Sequence, residues 1–457
     1  MTSFSVQGRR VTLAGAGTSG LAAAELLARR GARVTLSEAR ATFDGEERLT
    51  SLGVTIERGG HEEATFTGAD LVVLSPGVPP EKPVVRAARD AGVPVIGEIE
   101  LAARWLQGRI IAITGTKGKS TTTTLTGRML QASGLPALVG GNIGIPLSSQ
   151  VEASTSDTLH VVETSSFQLE TTDTFHPWIA AVLNFSPDHL DRHPSVEDYA
   201  AAKAAIFANQ DPEDWAVVNA DDEGAQVLAA AARSRRRWFG SSYPGDGITV
   251  AADHVVERRD GRDEPVLPLS EIRVPGRHIL SDVLAATAVS RLAGATADAI
   301  RQAVSAFTGL EHAMEVVATV GGVRFVNDSK ATNVAAARYA IESVDEGLVA
   351  IMGGKYKGGA FADLRDPLAG RARAVVAIGE AAPLLEEALG DVLPVRRAAS
   401  LDEAVRVAYE IARPAGHVVL APACASFDMF ASYADRGRQF KEAVKRLAGE
   451  HRPAREA

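Results

Sequence analysis

Cysteine is almost absent: Cys424 is the one cysteine in 457 residues. An internal disulfide is therefore excluded, and the usage fits a reducing compartment. Apolar runs long enough to cross a bilayer are missing. Residues Met1 to Arg10 also lack the basic-then-apolar layout of a secretory signal. A cytoplasmic protein without a membrane partner is expected. Positive charge is in deficit, with 48 Lys and Arg against 57 Asp and Glu and a formal net charge of -9. That balance excludes a general nucleic-acid binder and makes any phosphate recognition local. The remainder, 46% hydrophobic and 23% charged, is that of a soluble globular chain too long for one ordinary core.

The most informative stretch is Ile110-Ile111-Ala112-Ile113-Thr114-Gly115-Thr116-Lys117-Gly118-Lys119-Ser120-Thr121. A β-branched run suited to a buried strand breaks at Gly115 and continues into the first turns of a helix through Thr122, Thr123, Leu125 and Met129. A strand, a glycine loop and a helix N-terminus make an anion site, where backbone N–H groups and the helix end favour phosphate. Lys119 supplies a point charge, and Ser120 or Thr121 can reach Mg²⁺. Ile113 occupies the place of the first glycine of the full GxxxxGK[ST] pattern, so this is a shortened phosphate loop. The plain alternative is a glycine-rich connection with solvated lysines.

Upstream, a strand over Val11 to Gly15 runs into Gly15-Ala16-Gly17-Thr18-Ser19-Gly20, a helix over Leu21 to Arg30, and a second strand ending at Ser37 and Glu38. This is a nucleotide-binding βαβ fingerprint, open to NAD or to any nucleotide diphosphate. A strand over Asp70 to Leu74 leads to Ser75-Pro76-Gly77, either a ligand loop or a tight turn. Beyond the phosphate loop, a strand over Leu159 to Val162 delivers Glu163 to its tip, where a Mg²⁺ ligand belongs. Gly140-Gly141-Asn142-Ile143-Gly144 offers an amide that could touch substrate. The strand over Ala180 to Asn184 precedes the ionisable loop Asp188-His189-Leu190-Asp191-Arg192-His193, in which Asp191 and His193 read as scaffolding. Helix is expected over Val196 to Gln210, and from these residues alone Lys203 is a solvated helix lysine. Arg235-Arg236-Arg237 reads as a surface patch, followed by short strands over Ile248 to Arg273, a helix to Leu292, and a helix from Thr296 to Phe307 capped by Thr296. After Gly309 an α/β pattern restarts, with strands over Val323 to Val326, Leu348 to Met352, Ala374 to Ile378 and His417 to Leu420. Polar and glycine residues cluster after these strand ends, the edge at which parallel sheets hold ligands.

Three segments then stand together: Gly115-Thr116-Lys117-Gly118-Lys119-Ser120-Thr121, Glu163-Thr164-Ser165-Ser166-Phe167-Gln168-Leu169-Glu170 and Asn327-Asp328-Ser329-Lys330-Ala331-Thr332-Asn333. With Pro422-Ala423-Cys424-Ala425-Ser426-Phe427-Asp428, they make the chain resemble the Mur ligases of peptidoglycan synthesis along essentially its whole length. The resemblance implies an α/β protein of three domains: a Rossmann-like UDP-binding domain (1–97), a central P-loop ATPase-like domain (98–309) and a Rossmann-like amino-acid-binding domain (310–457). It implies an ATP-dependent amide ligase acting through an acyl phosphate, with UDP-N-acetylmuramoyl-L-alanine and D-glutamate as substrates, a monomer, and two Mg²⁺ sites. Gly115 to Thr121, His278, Asp328 and Lys330 would bind ATP. Ser120, Glu163, His189 and a carbamylated Lys203 would hold metal, and Lys119, Glu163, His189 and Lys203 would form the catalytic set. Thr18, Ser19, Glu38, Arg40, Ser75, Gly77 and Asn142 would contact the UDP substrate; Thr332, Lys357, Ser426 and Tyr433 would hold D-glutamate. Hydroxyls and ammonium groups suit a dicarboxylate. Domain closure, with hinges near Gly97 and Gly309, would bring these groups together.

Three positions depart from the family pattern. Tyr433 replaces a phenylalanine, Ile279 stands for an asparagine after His278, and Ala313 for an arginine after His312. The last two remove groups facing ATP, for which Lys117, Arg277 or Lys330 could substitute. A nicotinamide-dependent oxidoreductase would leave the phosphate loop and Glu163 unexplained. A simple P-loop switch or kinase would not need an amino acid for turnover. A sister Mur or folylpolyglutamate-type ligase differs only in the amino acid it adds.

Overall fold

The computed structural model describes residues 4–189, 192–274, 277–344, 346–356 and 358–450, apart from the side chains of Arg277 and His278. These residues form three sheets divided between two compact units: Met1–Glu271 with His278–Ala306, and Ile272–Arg277 with Phe307–Ala457.

In the first unit, β1 (Arg10–Ala14), β2 (Arg33–Glu38), β3 (Thr55–Arg58), β4 (Leu71–Leu74) and β5 (Val95–Gly97) make a parallel sheet in the order β3-β2-β1-β4-β5. The order reverses at β1, so the loops after β1 and β4 open side by side at the carboxyl edge. The helix Thr18–Arg29 buries Ala23, Ala24, Leu26 and Leu27 against the core. A Cβ at Gly20 would lie 1.9 Å from Gly15 O, so this helix can start so close to β1 only with glycine there.

The second sheet comprises β6 (Arg109–Thr114), β7 (Ala137–Gly141), β8 (Leu159–Glu163), β9 (Ile179–Val182), β10 (Trp215–Asn219), β11 (Arg235–Phe239), β12 (Gly247–Ala251), β13 (His254–Arg259) and β14 (Arg262–Pro268). Its order is β14-β13-β12-β11-β10-β9-β6-β8-β7, parallel except for the β12-β13-β14 meander. β6 is flanked by β8 and β9, which brings the ends of all three to one place.

In the second unit, β15 (Glu315–Val320), β16 (Val323–Asn327), β17 (Leu348–Gly353), β18 (Ala372–Ile378), β19 (Val395–Arg397) and β20 (Gly416–Leu420) are ordered β15-β16-β20-β17-β18-β19. Only β15 runs antiparallel.

Several expectations change. Gly97 is not a free hinge. Its N–H donates to Thr171 O at 2.9 Å, and a Cβ there would meet Thr171 Oγ1 at 2.2 Å. Just beyond it the buried Glu100 carboxylate accepts the N–H groups of Asp173, Thr174 and Phe175 at 2.8–3.0 Å. The first two sheets are therefore joined by a packed junction inside one unit. The Arg235–Arg237 run opens strand β11: Arg235 and Arg236 are exposed, as a surface patch requires, but Arg237 turns in to pair with the buried Glu257, which Arg259 and Arg291 also reach at 2.6 Å. The helix expected to Gln210 ends at Ala204, followed by a 3₁₀ turn over Ala205–Phe207. Gln210, fully buried, donates its amide to Pro177 O and Trp215 O, both at 3.0 Å. Thr296 caps the helix Ala297–Ser305 as expected, accepting from Ala299 N at 3.3 Å.

Candidate active site

At the end of β6 the chain crosses Gly115–Gly118 into the helix Lys119–Ala132. The loop is clamped by a residue just past the neighbouring strand β9. Asn184 Oδ1 accepts the N–H groups of Thr116 (3.0 Å) and Lys117 (2.9 Å), and Asn184 Nδ2 donates to Lys117 O (3.2 Å). Two loop N–H groups are thus committed within the protein, and the first turn of the helix presents its own to an anion. Gly118 has φ +80°, and a Cβ there would stand 2.1 Å from Asp282 Oδ1. Asp282 lies buried behind the loop, accepts from Thr122 Oγ1 at 3.4 Å, and is pushed well above the ordinary carboxylate range by burial.

Lys119 Nζ donates to Gly115 O and Thr116 O, both at 3.0 Å. Lys203 Nζ donates to the same Gly115 O at 2.7 Å. The solvated reading of Lys203 is therefore wrong: its side chain is 1% exposed and its ammonium lies 4.8 Å from the centroid of the buried Tyr199 ring. Burial first, and then the charge of Lys119, push its ammonium down to about 7. Glu163, at the tip of β8, is 2% exposed. Its Oε1 accepts from Asn142 Nδ2 at 2.7 Å, while Oε2 is buried with no hydrogen-bond partner. An unbonded buried carboxylate oxygen next to a phosphate loop fits a hard divalent cation. His189 is exposed with φ 54°; its ring packs against Phe167 (5.1 Å) and Tyr199 (6.1 Å), and Tyr199 in turn carries Lys203. His193 is buried scaffold, its Nε2 2.9 Å from Ser166 Oγ, while Asp191 lies outside the described residues.

Among the described residues, one group of histidine and carboxylates has its ligand atoms within 4.8 Å of one another: His176, Asp211 and Asp214. It sits before β9 and β10, at the sheet edge opposite the phosphate loop. Asp214 Oδ2 there already accepts His176 Nε2 (2.6 Å) and Asp211 N (2.7 Å).

At the edge of the first sheet, Thr18 and Ser19 form the first turn of their helix beside the glycine loop. Glu38 Oε2 accepts Ala16 N at 2.6 Å and Oε1 accepts Arg40 N at 2.9 Å. Arg40 Nη2 also donates to Ala16 O at 3.2 Å. The Arg40 guanidinium holds the Glu38 carboxyl down at about 2. The buried Ser75 backs onto the loop, 3.2 Å from a Cβ placed at Gly15, and Gly77 follows in an exposed turn. These six residues share one edge. Asn142 stands apart, bonded to Glu163 at the edge of the second sheet.

In the second unit, Asp328 follows β16; it is 7% exposed and accepts Met314 N at 3.1 Å. Burial pushes its carboxyl up to about 7. Lys330 is exposed and Thr332 half-buried on the same loop. Ser426 is buried with an unbonded Oγ, and Tyr433 is exposed, its ring edge-on to His312 at 6.5 Å. The His278 and Arg277 side chains and all of Lys357 lie outside the described residues. Ile279 is buried at 5% exposure, and Ala313 is half-buried between His312 and Met314, both with positive φ.

Asn184, Tyr199 and Asp282 were not singled out from sequence. Asn184 leaves a trace there, as the polar residue ending an apolar strand. Tyr199 and Asp282 read only as ordinary helix positions.

Three family models match the chain: the Mur ligase MurD-like N-terminal domain over residues 9–97, the Mur ligase middle domain over 113–290, and the Mur ligase glutamate ligase domain over 313–424. The UDP-N-acetylmuramoylalanine--D-glutamate ligase of Acidobacterium capsulatum is 48% identical over 445 residues, covering 96% of each chain. That of Koribacter versatilis is 45% identical over 447 residues, covering 97% of this chain and 98% of its own. Among solved structures, UDP-N-acetylmuramate-alanine ligase MurC of Thermotoga maritima aligns with TM-score 0.60 at 20% identity, over 96% of this chain and 100% of that one. MurF of Acinetobacter baumannii aligns with TM-score 0.58 at 16% identity, over 94% and 93%. These two share the fold.

Proposed function

This chain belongs to the Mur ligase family, and from that membership we infer an ATP-dependent amide ligase that joins D-glutamate to UDP-N-acetylmuramoyl-L-alanine. The observation that carries the substrates is the 48% identity to a ligase of that name over nearly the full length of both chains. The family is ATP-dependent. A monomer in the cytoplasm is part of the same reading; among the described residues no helix is long and apolar enough to cross a membrane.

The reaction joins two anions, so the protein's task is charge neutralisation and alignment. A carboxylate oxygen of the alanyl group attacks the γ-phosphorus of ATP, the bond to the ADP oxygen breaks, and an acyl phosphate forms. The amine of D-glutamate attacks the acyl carbon, loses a proton, and inorganic phosphate leaves. Lys119 and the first turn of the helix Lys119–Ala132 would hold the terminal phosphates. Ser120, Glu163, His189 and Lys203 would hold Mg²⁺ in two sites, supplying positive charge where phosphate charge accumulates. For Lys203 that role requires carbamylation: the neutral amine forms an N–C bond to CO₂ and releases a proton, replacing a cation with oxygen donors. A lysine whose ammonium is held near 7 is half deprotonated at neutral pH, as this chemistry needs.

Glu38, Arg40, Thr18, Ser19, Ser75 and Gly77 would bind the UDP group, with Asn142 between Glu163 and the muramoyl part. Asp328, Lys330 and His278 would meet the nucleotide, and Thr332, Lys357, Ser426 and Tyr433 the D-glutamate. We assign these roles to domains 1–97, 98–309 and 310–457. The test is phosphate release from ATP and Mg²⁺ with UDP-N-acetylmuramoyl-L-alanine, comparing D-glutamate, L-glutamate and no amino acid. Release that requires D-glutamate is expected; release indifferent to the amino acid would refute the reading.

A further inference from the structure

Among the described residues, Arg436 is the largest fully buried side chain, with 0% exposure. Its acceptors are a hydroxyl and backbone carbonyls. Nε donates to Ser329 Oγ and Nη2 to Ser329 O, both at 2.9 Å. Nη1 and Nη2 each reach Cys424 O at 3.2 Å, and Nη1 also reaches Ala425 O (3.4 Å) and Gly353 O (3.5 Å). Ser329 Oγ passes the chain on to Tyr433 O at 2.8 Å. Among the described residues no carboxylate is bonded to the guanidinium; Asp428, whose charge it feels, accepts the N–H of Glu380 instead.

A buried cation without a counter-ion is costly, and fold support alone is provided more cheaply by apolar packing. Two further facts give it a use. Its three anchor points are the loop after β16, the end of β17 and the loop after β20, which carry Asp328, Lys330 and Thr332, then Gly353 and Gly354, then Ser426. Gly354 is held so close that a Cβ would lie 3.2 Å from Nη1 and 2.2 Å from Ala425 O. Directly after Ala425, the Ser426 hydroxyl is buried with no partner.

We propose that Arg436 is the positioning residue of the amino-acid site, locking the three loops in register and lending its uncompensated charge to a dicarboxylate held at Ser426. The proposal rests on the ligase reading above and adds to it a residue that does not touch the substrate.

The test is steady-state kinetics on the full chain with Arg436→Lys, Arg436→Met and Ser329→Ala, varying each substrate in turn. Ser329→Ala removes the Nε acceptor and the link to Tyr433 with a minimal change of volume, so it reports even if the arginine variants fail to fold. We expect the KM for D-glutamate to rise at least tenfold in Arg436→Lys and severalfold in Ser329→Ala, with the KM for UDP-N-acetylmuramoyl-L-alanine within twofold of wild type. Arg436→Met should not saturate with D-glutamate. A KM for D-glutamate within twofold of wild type in the folded variants, or an equal rise in every KM, would overturn the proposal. Wild-type turnover that ignores D-glutamate would instead overturn the ligase reading itself.

Discussion

Lys203 illustrates how one residue type changes meaning with burial. Between about 7 and the ordinary lysine value of 10.5, the unfolded chain binds a proton that the folded one does not. Stability therefore rises with pH across that window, and below 7 the fold carries a buried ammonium. In CO₂-free buffer, the thermal midpoint of the wild type should climb between pH 7 and 9 relative to Lys203→Met; parallel curves would show that the amine is not held down. In activity, Lys203→Ala should lose about 100- to 1,000-fold, the size of effect expected for a group that organises transition-state charge. Bicarbonate should stimulate wild type more at pH 8 than at pH 6, because the neutral amine population grows as pH rises through 7. Indifference to bicarbonate at both values would remove carbamylation from the mechanism. The alanine-rich stretch around Lys203 does not reveal its burial: Tyr199 lies on the same helix, but Gly115 O, which Lys203 meets, comes from a loop remote in sequence.

The strand-end loops are the working elements. Sequence located them well where chemistry is local: Gly115 to Thr121, Glu163 at the tip of β8 and the loop after β16 were all visible as polar or glycine residues closing apolar runs. It missed β15, because a bulge between Val316 and Ala318 spoils the alternation of a half-exposed edge strand. It missed β19 because three residues carry no period. It placed Arg235 and Arg236 at the surface, as found, but missed the strand and the inward turn of Arg237, because that needs Glu257 to receive it. The Asn184 clamp, formed across adjacent strands, was equally invisible. Asn184→Ala should unfasten Thr116 and Lys117, costing about 1–2 kcal/mol of loop order. That corresponds to a KM for ATP raised about tenfold, with the KM for D-glutamate unchanged. An unaltered KM for ATP would mean the loop holds its shape without the clamp.

For the molecule as a whole, the sheet pattern was legible from the restarting α/β periodicity, whereas the grouping into units was not. A domain end and a hinge were expected near Gly97. The buried Glu98 and Glu100 reverse that impression, because their carboxylates accept backbone N–H groups of the second sheet's own loops, from Ser148 and from Asp173 to Phe175. Hydrogen exchange should reflect the two units. UDP-N-acetylmuramoyl-L-alanine is expected to slow exchange within residues 14–20 and 75–78, and D-glutamate within 326–333 and 423–433. Protection by D-glutamate confined to the first unit would contradict the assignment of the amino acid to the second.

The clamp also bears on the heat of nucleotide binding. A phosphate loop that is ordered only by its ligand charges the cost of ordering to the association step, and calorimetry then records a large unfavourable entropy. Here that ordering belongs to folding, since Asn184 bonds the loop from its neighbour strand. ATP should therefore bind with a small heat-capacity change and an enthalpy set by phosphate contacts alone, and cooling should weaken it little.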